Sequence, residues 1–167
     1  MREKLTKSDV EKIRKEIDHR KLELRPKLIE AVKEARAQGD LSENFEYYAA
    51  KREKNKNESR IGYLERMLKS AIVISDESHE GKVSMNNVVT LYYPDEDFEE
   101  EVKITTSIRG NSQENKISTE SPLGKAVFGH AEGETVTVKL DDGGSYDVVI
   151  KAINQDTDDD SDEIRSF

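Results

Sequence analysis

Three carboxylates lie within seven residues of one another in the stretch from Gly39 to Tyr47, which reads Gly-Asp-Leu-Ser-Glu-Asn-Phe-Glu-Tyr. Two of them, Asp40 and Glu43, are three residues apart, which is the spacing of a capping box at the start of a helix. Two carboxylates at an exposed tip are also suitable ligands for Mg²⁺, which usually takes only one or two from a protein. Spacing alone favours the capping role.

Two long helical patterns flank this stretch. Residues 8 to 37 predict one helix with a narrow coiled-coil seam, and Pro26 predicts a kink or local break near Arg25 and Pro26. Residues 43 to about 74 predict a second helix whose seam carries Lys54 and Asn57 in its middle, where we expect looser packing. The apolar and polar seam positions of the second helix are Tyr47, Ala50, Lys54, Asn57, Ile61, Leu64, Leu68 and Ala71. The pattern therefore predicts an antiparallel helical hairpin over residues 1–75, with an acidic tip at 39–46.

The pattern changes to short strands after a polar linker at residues 76–86. Residues 87–154 predict an antiparallel sheet with strands at 88–93, 101–108, 134–140 and 146–153, and one short helix from Ser121 to Phe128. The fold class is thus α+β. Residues 155–167 form an acidic tail with six acids between Asp156 and Glu163, for which we expect disorder. A solubility role is the simplest interpretation of the tail, and a partner-binding or autoinhibitory role is the alternative.

Composition restricts the classes of function. The 167 residues include no cysteine, so disulfides and thiolate metal sites are excluded, and 38% of them are charged. No apolar run is long enough to span a membrane and no signal-type segment follows Met1, which predicts a cytoplasmic protein. No nucleophile has an adjacent base and no glycine loop could hold a phosphate, so the chain does not resemble a stand-alone enzyme. Residues 1–75 hold 19 Lys and Arg against 14 Asp and Glu, whereas the rest hold 8 against 22. Only the first half is therefore compatible with a polyanion nearby.

Two blocks of sequence resemble a known family. The first is the stretch from Gly39 to Asn44, followed by Glu46-Tyr47 and Ala49-Ala50-Lys51; the second is Ile117-Ser118 and Ser121-Pro122-Leu123-Gly124-Lys125-Ala126, with Gly129 and Gly133. Both resemble the bacterial Gre transcript-cleavage factors of GreA type, in the family's order and at about its spacing, over roughly residues 1 to 153. The resemblance implies a coiled-coil hairpin and an FKBP-like C-terminal domain that docks on RNA polymerase.

The resemblance also implies roles for the tip and for the helix behind it. Asp40 and Glu43 match the family's two essential acids, which are thought to help hold a Mg²⁺ ion shared with the polymerase active site. Leu41 and Ser42 match the tip as polymerase contacts, and Glu46 is a lower-ranked auxiliary. A basic band behind the tip would contact the nascent RNA 3′ segment, although a solvated helix face balanced by Glu53 and Glu58 explains it equally well. That band consists of Lys51, Arg52, Lys54, Lys56 and Arg60.

The expected function is that of a monomeric cofactor of core RNA polymerase that enters the secondary channel and stimulates cleavage of backtracked RNA. Two alternatives remain at this point. The run from Lys54 to Asn57 departs from the family, where an aromatic or aliphatic pair is usual, and this favours a channel binder that regulates or inhibits polymerase without cleavage. The second alternative is a coiled-coil binding or chaperone module without a polymerase role.

Overall fold

The computed structural model describes residues 2–38 and 44–166. It divides into two compact units, one made of Met1–Arg2 with Asp9–Ile72 and the other of Glu3–Ser8 with Val73–Phe167. The helices of the first unit are α1 (Lys7–His19), a π-helical turn (Arg20–Leu24), α2 (Arg25–Ala37) and α3 (Phe45–Ser70). The short strands β1 (Lys4–Leu5) and β2 (Ile72–Val73) form a small sheet of their own.

The helices of the first unit pack through the predicted seam. Ile13 and Ile17 of α1 are buried, as are Ile61, Leu64 and Met67 of α3. The seam positions predicted on α3 are all buried or half-buried, including the polar ones. The helical hairpin predicted from the 3-4 spacing is therefore confirmed.

The predicted irregularity before Pro26 takes the form of the π-helical turn. The Arg25 N–H donates to the carbonyl of Arg20, five residues earlier, and α2 then begins with Pro26 in its first turn. Proline has no N–H, and in an uninterrupted α-helix its ring would meet the carbonyl four residues before it, that of Leu22. The wider turn relieves that clash without ending the helix.

The middle of the seam is not loosely packed, contrary to expectation. Asn57 is only 4% exposed. Its side-chain oxygen accepts from Arg20 Nη1 at 3.0 Å, and its Nδ2 donates to the Arg20 carbonyl at 3.1 Å. Glu16 accepts from both Arg20 (2.7 Å) and Arg60 (2.9 Å). Asn57 thus pairs with the backbone of the π-helical turn, a partner that the helical periodicity of α3 does not reveal.

The second unit contains a five-stranded sheet and one short helix. Its strands are β3 (Val88–Tyr93), β4 (Phe98–Thr105), β5 (Lys116–Ser118), β6 (Thr135–Lys139) and β7 (Ser145–Asn154), in the order β5-β4-β3-β7-β6. The helix is α4 (Pro122–Val127), capped by the Ser121 hydroxyl, which accepts from the Gly124 N–H at 3.1 Å. The core lies on one face of the sheet and includes Val89, Leu91, Val102 and Ile150. The α+β class is confirmed.

Two details of the second unit differ from expectation. The sheet is mixed, because β5 pairs parallel to β4 with Lys103 opposite Lys116, whereas the remaining pairs are antiparallel as predicted. The predicted linker is in part built into this unit: Val83 and Met85 are buried, and the Gly129 N–H donates to the Val83 carbonyl at 2.8 Å. Short apolar runs of this kind carry too little periodicity for assignment from sequence.

The acidic tail is also ordered, contrary to the predicted disorder. Asp162 is 4% exposed, and its carboxylate lies 2.8 Å from Arg109 Nη1, 3.0 Å from Lys103 Nζ and 3.2 Å from Lys116 Nζ. The Arg165 N–H donates to the Ile108 carbonyl at 2.8 Å. The expectation failed because it counted charges locally, whereas the cations that order this tail lie about 50 residues earlier in the chain.

Candidate functional site

The site begins where the described part of the hairpin approaches its acidic tip. Helix α3 starts at Phe45, and Asn44 is its N-cap: the Asn44 side-chain oxygen accepts from the Tyr47 N–H at 2.9 Å. The Asn44 amide also donates to the Ala35 carbonyl in the last turn of α2, at 2.6 Å. One side chain therefore satisfies an orphan donor of one helix and an orphan acceptor of the other.

This geometry bears on the capping role that spacing alone favoured for Asp40. The second helix begins two residues later than predicted, and its cap is Asn44, four residues beyond Asp40. Asp40, Leu41, Ser42 and Glu43 themselves lie outside the described residues, so their roles stay predictions. A capping role would have explained the presence of Asp40 without a role in metal binding or catalysis. The residue that caps α3 is Asn44.

A second contact joins the two helices beside the tip. The Arg36 guanidinium donates to the Tyr47 hydroxyl at 3.2 Å and lies 5.5 Å from the centre of the Tyr47 ring. The hydrogen bond from Arg36 lowers the pKa of the Tyr47 phenol. Together with Asn44, this contact fixes the spacing of the helix ends from which residues 39–43 extend. Glu46 lies in the exposed first turn of α3, where a carboxylate interacts favourably with the helix dipole.

The basic band is exposed over part of its predicted length. Lys51, Arg52 and Lys56 are exposed, and Lys54 is half-buried. Lys56 lies 3.6 Å from Glu53, an exposed pair of the kind that contributes little to stability. These side chains are therefore available to a polyanion.

Arg60 does not belong to this band. It is 7% exposed, and its guanidinium donates from Nε to Glu16 Oε2 at 2.9 Å and from Nη2 to Oε1 at 3.3 Å. Burial raises the pKa of Glu16, but hydrogen bonds from Arg60 and Arg20 outweigh it, and the pKa is lowered overall. Arg60 is thus part of the seam and, unlike the rest of the predicted band, it is buried; its contact with RNA stays a prediction.

Sequence reasoning missed Asn44 and Arg36. Asn44 is the last residue of the stretch from Gly39 to Asn44, and asparagine before a helix is a known N-cap signal, so its role could have been found. The Arg36–Tyr47 contact joins two helices and has no local signal.

Among residues 2–38 and 44–166, no three His, Cys, Asp or Glu side chains are grouped so as to hold a metal ion. Over the same residues, no helix is long and apolar enough to cross a membrane.

Comparison of the sequence with known families gives two matches, one for each part of the chain. The family model described as "Transcription elongation factor, N-terminal" matches residues 3–73, and that described as "Transcription elongation factor, GreA/GreB, C-term" matches residues 77–155.

The curated relatives agree with these matches. The GreA transcription elongation factor of Macrococcus caseolyticus is 38% identical, over 90% of this chain and 95% of its own. That of Streptococcus pneumoniae serotype 19F is 40% identical, over 90% of this chain and 94% of its own. A solved structure of GreA factor homolog 1 (Gfh1) from Thermus thermophilus is 27% identical, with a TM-score of 0.43, over 92% of this chain and 99% of its own. The hairpin and the sheet domain are each matched at their own position, and the chain belongs to the GreA/GreB family of transcription elongation factors.

Proposed function

We propose that this protein binds core RNA polymerase as a monomer, passes its helical hairpin down the secondary channel, and stimulates the polymerase's own cleavage of backtracked RNA. The observation that carries the proposal is the Asn44 cap. Because Asn44 is the N-cap of α3, Asp40 and Glu43 are not needed to cap that helix. Family membership, and relatives named as transcription elongation factors, support the same partner.

The hairpin has the dimensions for such a task. Helix α3 has 26 residues, which at 1.5 Å per residue is a rod about 39 Å long. A catalyst that acted alone would have no use for carboxylates at the end of such a rod. The cleaved bond therefore belongs to the polymerase's substrate, and this chain is a cofactor of the reaction.

The tip carboxylates are suited to metal ligation. Ionised Asp40 and Glu43 would offer hard oxygen ligands to a Mg²⁺ ion shared with the polymerase active site, which fits the preference of that ion. When bound, that ion would lower the pKa of a water molecule and stabilise charge in the displacement. The contribution of this chain would be to carry two negative groups in the segment that joins the paired helices. Leu41 and Ser42 would contact the polymerase, and Glu46 would add negative charge one turn further along.

The exposed cations behind the tip would contact the displaced RNA. Lys51, Arg52 and Lys56 point away from the seam, with Lys54 at its border. Phosphate contacts of this type position a strand without reading its sequence. The contribution should weaken as salt is raised.

The test is a cleavage assay on a stalled, backtracked elongation complex carrying 5′-labelled RNA. Wild type should shorten the RNA, and Asp40→Asn or Glu43→Gln should slow cleavage by about 10²-fold, the order for removing one charge-stabilising group. Glu34→Gln is the matched control, because Glu34 is an exposed carboxylate on α2 and its replacement removes the same charge. All variants should bind polymerase equally. Binding of the wild type without cleavage would refute the proposal and indicate a regulator that occupies the channel.

A further inference from the structure

A cavity of about 310 Å³ opens at one end of the core-facing side of the sheet in the second unit. Three aromatic rings line it: Tyr93 at the end of β3, Phe98 at the start of β4 and Tyr146 in β7. The Tyr93 ring centre lies 5.9 Å from that of Phe98 and 6.0 Å from that of Tyr146. Tyr93 and Tyr146 also pack against the buried core, so the rings are held in place before any ligand arrives.

Every charged residue that lines this cavity is acidic. Glu100 is half-buried in its wall, and three exposed carboxylates complete the lining, those of Asp95, Glu96 and Asp147. Within the part of the chain that the structure describes, no lysine or arginine lines the cavity. A cavity with aromatic walls and only negative charges attracts a cation with an apolar body.

Glu100 is held in position by Tyr93. The Tyr93 hydroxyl donates to Glu100 Oε1 at 2.5 Å. Burial, and then this hydrogen bond, raise the pKa of the Tyr93 phenol, so the hydroxyl remains a donor at neutral pH. Burial and the charge of Glu100 raise the pKa of Tyr146 as well. A carboxylate accepts several hydrogen bonds, so Glu100 can bind Tyr93 and an incoming cation together.

On the opposite face of the same two strands, a lysine already contacts both a tyrosine ring and a carboxylate. Tyr92 and Glu99 are paired across β3 and β4, one residue from Tyr93 and Glu100. Lys151 of β7 lies with its Nζ 5.6 Å from the centre of the Tyr92 ring and 3.1 Å from Glu99 Oε2. Successive residues of a strand point to opposite faces, so Tyr93 and Glu100, diagonal neighbours across β3 and β4, likewise place a ring and a carboxylate together on the face that holds the cavity.

We propose that this cavity binds the side chain of a lysine or arginine presented by a protein partner. The aliphatic stem would lie against Phe98 and Tyr146, and the charged group would lie over a ring face and beside Glu100. Cations within about 6 Å of a ring centre are attracted to its face, and desolvation strengthens the attraction. The identity of the partner rests on the proposed function: the polymerase would supply the basic side chain, and the cavity would be one anchor of the docking domain.

The first experiment tests the cavity without polymerase. The full chain with ¹³C-labelled aromatic rings is titrated with the methylamides of Nα-acetyl-arginine and Nα-acetyl-lysine, whose side chains are charged. The methylamide of Nα-acetyl-citrulline, whose side chain is neutral, is titrated for comparison. We expect saturable shifts of the Tyr93, Phe98 and Tyr146 rings with the two cations and none with citrulline. Glu100→Gln should weaken binding about 5-fold or more, by the usual conversion of one lost contact into affinity. Equal binding of citrulline, or no saturation with either cation, overturns the proposal.

Glu101→Gln is the matched control. Glu101 lies next to Glu100 on β4, is exposed and points to the opposite face, and its replacement removes the same charge. Glu101→Gln should bind the cations as tightly as wild type does. If Glu101→Gln lost as much affinity as Glu100→Gln, the binding would depend only on the net charge of the unit, and the proposal would be overturned. Phe98→Ala is a second variant that spares the core, since Phe98 is 50% exposed; it should also weaken binding.

The second experiment identifies the partner by measuring affinity for core RNA polymerase. Glu100→Gln and Phe98→Ala should each lower it by about 5-fold or more, with Glu101→Gln unchanged. Cation binding in the first experiment with unchanged polymerase affinity of these variants would overturn the polymerase as the partner. If wild type did not bind polymerase at all, the proposed function would fail, whereas the ring shifts would still decide the chemistry of the cavity.

Discussion

Replacing Asp162 with asparagine should destabilise the second unit much more than the same change at the exposed Asp160. Asp162 lies between three cations, of which Arg109 has a fully buried side chain, whereas Lys103 and Lys116 keep 15% and 17% of theirs exposed. The variant preserves the size of the side chain and removes only its charge. The two lysines can turn towards water, but Arg109 cannot.

The magnitude follows from this difference. Removing one partner of a buried ion pair costs about 3–5 kcal/mol, and the partial escape of the lysines places Asp162→Asn near the lower end, at about 3 kcal/mol. For a unit of about 100 residues this corresponds to a fall in Tm of about 12 °C. Burial raises the pKa of Asp162, but hydrogen bonds from Lys103 and Arg109 lower the pKa by more than burial raises it. The net pKa of Asp162 is therefore lowered.

The lowered pKa gives the pH dependence. The stabilising effect is fully present above the unfolded value of about 3.9 and is lost as the pH falls through the folded pKa. The free energies of unfolding of wild type and Asp162→Asn should therefore differ by the full amount at pH 7 and become equal in strong acid. The assay is hydrogen exchange of the β4 and β5 amides in the full chain, which reports on this unit alone.

Asp160→Asn is the matched control, because Asp160 is exposed and its replacement changes the net charge equally. It should alter stability by less than about 0.5 kcal/mol. Equal losses for Asp160→Asn and Asp162→Asn would refute the account of the tail as an ion-paired segment. A constant difference between wild type and Asp162→Asn down to pH 2 would refute the role of charge.

Three other changes test the remaining architecture. Asn57→Ala should cost about 2 kcal/mol, because it removes the two hydrogen bonds of the buried Asn57 side chain to Arg20, and urea unfolding followed by helical circular dichroism would measure it; Asn57→Asp, which keeps an acceptor for the guanidinium, should cost less. Gly124→Ala should cost about 3 kcal/mol or more, since its Cβ would lie 1.9 Å from the Ser118 carbonyl oxygen, and thermal unfolding of the second unit against Gly143→Asn, at an open turn, provides the comparison. The hairpin should lose stability in acid as Glu16, whose folded pKa is lowered, becomes protonated, and Glu16→Gln should remove that part of the pH dependence between pH 7 and 3.

The sequence was informative wherever one element determined its own structure. The seam of α3, the strands β3, β6 and β7, and the short helix α4 follow from local periodicity and turn chemistry, and all were found at or near their predicted bounds. The break before Pro26 was predicted in place, although not in its form.

The features that could not be predicted depend on partners distant in the sequence. Asn57 seemed to weaken the seam because its partner is a carbonyl 37 residues earlier, at the start of the π-helical turn. The tail seemed disordered because its cations belong to β4 and β5 and to the segment between them. Arg60 seemed exposed because Glu16 lies on another helix. In each case the prediction used the neighbours of a polar group in the sequence. The burial of that group depends instead on a contact with another secondary-structure element.

The π-helical turn also determines how α2 is rotated about its axis relative to α1. Such a turn holds one residue more than an α-helical turn, and one residue corresponds to about 100° of rotation about the helix axis. The extra residue between α1 and α2 keeps the apolar stripe of both against α3 despite its drift in phase. Deleting one residue between Arg20 and Leu24 would remove the wider turn, bring the Pro26 ring against the carbonyl four residues before it, and rotate α2 by about a quarter of a circle relative to α1. The face that α2 presents to α3 would then change while the length of α2 stays the same.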